Sequence, residues 1–89
     1  MTDTTTITVR CFRHGTDKEC ARKVPEEAAE AFAEWTMLTQ TSLPVERRLA
    51  DELADTITAC CNLAARYGLD LQAALDRVEA HNRERGRYQ

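Results

Sequence analysis

Apolar side chains recur along this chain in three- and four-residue steps. Val24, Ala28, Ala31, Phe32, Trp35 and Leu38 form one such stripe, and Leu49, Leu53, Ile57, Cys60 or Cys61, and Ala64 form a second. Leu71, Ala74, Leu75 and Val78 form a third. That period places each set on one side of an α-helix. The residues between the stripes punctuate them as helix ends would. Thr16 with Glu19 three residues later has the capping-box arrangement, so His14-Gly15-Thr16 reads as a turn into a short helix from Asp17 to about Lys23. Pro25 is expected to interrupt that helix or to begin the next. Thr39-Gln40-Thr41-Ser42 reads as a loop, and a long helix follows from about Pro44 to Tyr67, closed by Gly68. Asp70 caps a last helix ending at about Arg83.

Ahead of these helices, Met1 to Arg13 alternates weakly through Ile7, Val9 and Cys11. It reads as a short strand, an extended arm or a disordered leader, and no function is assigned to it. His14 reads as a solvated or capping side chain in a turn. The expected organisation is an N-terminal arm over 1–15 and one all-α domain over 16–89.

Composition sharpens this picture at a few points. A chain of 89 residues makes one domain with a limited core, so self-association is expected. The helical part is rich in Ala, Leu, Glu and Arg, which favours helix by propensity. A formal net charge of -3 gives no reason to expect nucleic-acid binding. The charge is uneven, because Arg83-Glu84-Arg85-Gly86-Arg87-Tyr88 is basic and the middle is acidic, which suits a small anionic ligand bridged by metal. No apolar run is long enough to span a membrane, and the first residues lack the order of a secretion signal, so a cytoplasmic protein is expected. Cys11, Cys20, Cys60 and Cys61 read as free thiols, with no spacing that suggests zinc.

The chemistry lies in the acids. Glu26, Glu27 and Glu30 fall at three- and four-residue spacings on one helix, bordering its apolar stripe with Glu34. Acids in a helix's first turn are ordinary, since they face the positive end of its dipole. Glu52-Leu53-Ala54-Asp55 is a second pair one turn apart, in a helix interior where that explanation no longer holds and where aspartate is a poor helix former. Two helices each bringing acids one turn apart suggest carboxylates gathered around a hard cation such as magnesium.

Glu26-Glu27-Ala28-Ala29-Glu30 followed by Glu52-Leu53-Ala54-Asp55 resembles the E-E-x-x-E … E-x-x-D signature of the MazG-like, all-α nucleotide pyrophosphohydrolases. The resemblance extends from about Arg22 to Tyr88, through Tyr67-Gly68-Leu69-Asp70-Leu71 and the closing Asn82 to Tyr88. It implies a helical bundle completed by oligomerisation, as a homodimer or a homotetramer. It also implies Mg2+, with Mn2+ as a substitute, held by Glu27, Glu30, Glu52 and Asp55. Glu26 is then a supporting or water-orienting acid, and Glu26, Glu27 or Glu34 would activate the attacking water. Asn82 would contact nucleotide, with Arg83, Arg85 and Arg87 meeting phosphates beside Tyr88. The implied reaction is hydrolysis of a nucleoside triphosphate between its α and β phosphates, giving nucleoside monophosphate and pyrophosphate. Trp35 is a candidate to stack on the base, although an aromatic on a helical stripe is more often core. The chain also resembles phosphoribosyl-ATP pyrophosphohydrolase over Lys23 to Glu30 and the Gly-Leu-Asp-Leu turn, but lacks the Tyr-His pair expected after Asp55. A non-catalytic helical interaction module, its carboxylates lining a subunit seam, is the reading of another class.

Overall fold

In a computed structural model the chain forms three α-helices, α1 (Asp17–Trp35), α2 (Leu43–Arg66) and α3 (Leu71–Glu84). The structure describes residues 4–38 and 43–88, and no strand occurs among them. The loop expected at Thr39 to Ser42 lies outside the described residues. The described residues preceding α1 have no regular secondary structure.

α1 is one helix and not two, because it runs unbroken through Pro25. A proline in a helix interior removes one backbone donor and costs about 3 kcal/mol. Two features make that tolerable here. Pro25 and Ala21, whose carbonyl loses its partner, are both exposed and can be hydrated. The helix is also held on either side of the proline, with Cys20 before it and Glu27 and Ala31 after it buried along α2. The caps form as their residues predict: the Thr16 hydroxyl accepts from the Glu19 N–H at 3.2 Å, and the Asp70 carboxylate from the Ala73 N–H at 3.0 Å.

α1 and α2 pack along a seam of coiled-coil spacing. On α1 it runs through Cys20, Val24, Glu27, Ala31 and Glu34, and on α2 through Val45, Leu49, Glu52, Thr56, Ala59 and Leu63, all buried or half-buried. The apolar stripe expected on α1 is therefore rotated. Phe32 and Trp35 are largely exposed, and Glu27 takes the inward place. On α2, Leu53 and Ile57 likewise face outward, while Ala59 and Ala64 are buried. Among the described residues the buried apolar ones are Cys20, Ala31, Val45, Ala59 and Ala64, so the most deeply buried part of the core is narrow and made of small side chains.

The end of α2 is fastened by a Schellman turn. The Leu69 N–H donates to the Ala64 carbonyl at 2.9 Å and the Gly68 N–H to the Ala65 carbonyl at 3.1 Å, with Gly68 at φ 63°. α3 then leads away, with no buried residue and little contact to the other helices. The radius of gyration is 15.2 Å, against about 12 Å for a compact chain of this length. The accessible surface is 7247 Å², against about 5,300 Å² for a compact monomer of this mass.

Because Gly68 sits in the left-handed region with open space where a side chain would go, its substitution tests backbone conformation alone. Gly68→Ala is expected to lower the unfolding free energy by about 1 kcal/mol in urea titrations, and Gly68→Asn to lower it less.

Candidate metal centre

The seam spacing carries Glu27 from α1 and Glu52 from α2 inward, and Asp55 follows Glu52 by one turn. Their carboxylate oxygens lie within 4.8 Å of one another. Glu27 is 9% exposed, Glu52 is half-buried and Asp55 faces solvent. Glu30, one turn beyond Glu27, is exposed and lies outside that group, though near enough to influence the titration of Glu52. Three of the four acids expected to share a cation thus come together.

Buried carboxylates need partners, and this group is short of them. Glu27 Oε1 receives the Lys23 ammonium at 3.1 Å, while Glu27 Oε2 and Glu52 Oε2 are buried without any hydrogen-bond partner. Glu52 is pushed up from 4.5 to about 7, chiefly by burial. The Glu30 carboxylate, to which a protonated Glu52 can donate, follows, and the charges of Glu30, Asp55 and Glu27 act in the same direction. The Lys23 ammonium is correspondingly held above its usual range, chiefly by its hydrogen bond to Glu27 and by that group's charge. All the candidate ligands are oxygens, the donor set that hard divalent ions take.

The remaining candidates fall into two groups. Glu26 stands at the edge of the cluster, half exposed, with Lys23 Nζ at 3.9 Å. Glu34 is bound to Arg48 at 3.1 Å, two turns along α1 from Glu27. Trp35 stacks on Phe32 with ring centroids 5.7 Å apart, at the far end of α1. Asn82, Arg83, Arg85, Arg87 and Tyr88 gather at the end of α3 instead. There the Asn82 carbonyl accepts from the Arg87 N–H at 3.0 Å, its side-chain amide meets the Tyr88 hydroxyl at 3.4 Å, and Arg83 pairs with Glu79 at 2.8 Å. None of these contacts is to Glu27, Glu30, Glu52 or Asp55.

Three elements border an open cavity of about 330 Å³ beside the acids. Its lining includes Phe12 and His14 from the N-terminal segment, Lys23 and Glu27 from α1, and Asp55 and Asn62 from α2. Sequence reasoning left Phe12, Lys23 and Asn62 without roles. Lys23, four residues before Glu27, carried a helical ion-pair signal, and Asn62 stood out as a polar residue on a largely apolar stretch. Phe12 carried no signal, because its position depends on a contact fifty residues away. Comparison with protein-family models, curated proteins and solved structures returns no match.

The Glu52 shift has a testable sign. Folding takes up a proton between pH 4.5 and about 7, so this group's contribution to stability is complete below pH 4.5 and is lost as the pH rises through about 7. Melting the metal-free protein at a series of pH values is expected to show Tm falling over that window, and Glu52→Gln, which does not titrate, should flatten the fall.

Proposed function

We propose that this protein is a Mg2+-dependent nucleotide pyrophosphohydrolase, cleaving a ribo- or deoxyribonucleoside triphosphate to the monophosphate and pyrophosphate. The observation that carries this reading is the meeting of Glu27, Glu52 and Asp55 across the helix seam with two buried, unpartnered carboxylate oxygens. These are the positions that match the MazG-like signature. Unpaired buried oxygens in an all-carboxylate group fit a hard cation, with Glu27, Glu30, Glu52 and Asp55 to hold it. A divalent ion bound there would neutralise phosphate oxygens and make water a better nucleophile.

The chain's own residues supply the rest. Glu26, at the solvent edge and steadied by Lys23, has the access needed to orient the attacking water and accept its proton at a carboxylate oxygen. Lys23 balances part of the negative charge that the seam confines. Attack at phosphorus then proceeds directly, with charge stabilisation as the main catalytic contribution.

The same reading includes self-association as a homodimer or homotetramer of four-helix-bundle type. Phe32 and Trp35 on α1, Leu53 and Ile57 on α2, and Leu75 and Val78 on α3 leave apolar faces uncovered. The excess surface, roughly 2,000 Å² above a compact monomer of this mass, is more than the ~800 Å² per partner of a standard interface. α3 stands away from its own carboxylates, so in such an assembly the Asn82 to Tyr88 tail would serve a second copy's site. Sedimentation at micromolar concentration is expected to give at least a dimer, and a monomer would contradict this part of the reading.

The activity is tested by pyrophosphate release from the eight common nucleoside triphosphates, with and without Mg2+. Cleavage is expected only with the metal. Glu30→Ala and Asp55→Ala should each lower it by more than about a hundredfold, the upper range seen when even an outer-shell partner of a metal site is lost. Turnover without metal, or full activity in both variants, would sink the proposal. Saturating Mg2+ is also expected to stabilise the fold, by about 2.7 kcal/mol at a hundred times its dissociation constant. The Glu27→Ala variant should lose that increment.

A further inference from the structure

The segment before α1 is fixed in place by two contacts to α2. The Phe12 N–H donates to Asn62 Oδ1 at 2.8 Å, and the Arg66 guanidinium donates to the His14 carbonyl at 3.3 Å. Asn62 is buried at 6% exposure, and a buried side-chain amide needs hydrogen-bond partners, of which the arm provides one. Arg66 also pairs with Asp17 in the first turn of α1, so the arm, α1 and α2 are joined at one corner. These anchors set the register of the arm against the helix that carries Glu52 and Asp55.

The rings of Phe12 and His14 meet edge to face at 6.3 Å and 78°, and both residues line the cavity beside the carboxylates. Phe12 nevertheless remains 58% exposed. An aromatic that served the core would be covered, and one on a loose leader would not be anchored through its own backbone N–H. The cavity is divided in character. Lys23, Glu27 and Asp55 make one side charged, while Phe12 and Ala59, with the Thr58 hydroxyl, make the other aromatic, apolar and weakly polar. The Thr58 proton is given to the Ala54 carbonyl at 2.9 Å, which leaves hydroxyl lone pairs to accept from a ligand. A volume of about 330 Å³ is at the lower end of small-molecule sites, which span ~300–1,000 Å³.

From this arrangement we infer that the N-terminal arm is a wall of the substrate site and that Phe12 is the stacking platform for the nucleotide's base. The inference rests on the nucleotide reading above and adds to it the location of the base. His14 closes the edge of the platform, and Thr58 and Asn62 line the side on which the base's polar edge lies. The phosphates extend toward Lys23 and the carboxylates. The arm therefore contributes to affinity for nucleotides and leaves the affinity for metal or for a ligand without a base unchanged.

The test uses the full chain and reads binding, not turnover. Calorimetric titrations with Mg2+ alone, with inorganic pyrophosphate plus Mg2+, and with each nucleoside monophosphate plus Mg2+ are compared for the wild type, Phe12→Ala and Phe12→Tyr. Loss of one base-stacking aromatic is worth ~1–3 kcal/mol, so Phe12→Ala is expected to weaken monophosphate binding by about fivefold to a hundredfold. Its affinities for Mg2+ and pyrophosphate should match the wild type, and Phe12→Tyr should retain monophosphate binding. In the wild type, amide signals of Phe12 and of the Asn62 side chain should shift on adding monophosphate but not pyrophosphate. Unchanged monophosphate binding in Phe12→Ala overturns the role of the arm while leaving the nucleotide reading intact. Equal loss of Mg2+, pyrophosphate and monophosphate binding shows a structural role only and also overturns it. A wild type that binds Mg2+ but no nucleotide or pyrophosphate overturns the nucleotide reading, and the inference with it.

Discussion

Two carboxylates placed where a helix pair would normally put leucines govern the rest of this structure. Glu27 and Glu52 occupy inward positions of the α1–α2 seam, and each has a buried oxygen without a partner. Charge removed from water in this way destabilises a fold unless something opposite is brought to it. Lys23 answers for one oxygen of Glu27, and a proton near neutral pH answers for Glu52. Both are partial answers, and a divalent cation held there, as proposed above, would complete them.

The same constraint explains the size of the residues around the acids. Cys20, Ala31, Ala59 and Ala64 let the two helix backbones come close, which brings carboxylates of opposite helices within 4.8 Å. Larger side chains would separate the helices and dilute the site. Such a seam buries little apolar surface, however, and large hydrophobes such as Phe32, Trp35, Leu53, Ile57, Leu75 and Val78 stand outside it. One face of the helix pair thus holds the acids and another carries uncovered hydrophobes.

The arm and α3 complete this division in opposite ways. The arm is anchored to the inner side by Asn62 and Arg66 and encloses the cavity beside the acids. α3 follows the Gly68 corner with no buried residue, and Asn82 and Arg83 make contacts within α3 and the turn after it.

Local signals along the chain were enough to specify the helices, the Thr16 and Asp70 caps, the Gly68 corner and the pairing of acids one turn apart. Each depends on residues within about four positions of one another. Which side of each helix turns inward was not specified in that way. α1 and α2 each carry two apolar rows, and only the approach of the other helix chose the row of small residues, which placed Glu27 inside the seam and Phe32 and Trp35 outside it. The uninterrupted path through Pro25 was settled by packing on both sides of it, against the residue's own preference. The arm's position came from hydrogen bonds spanning fifty and fifty-two residues, a range no periodicity encodes. Short-range chemistry named the acids, and the meeting of two helices and an arm decided what surrounds them.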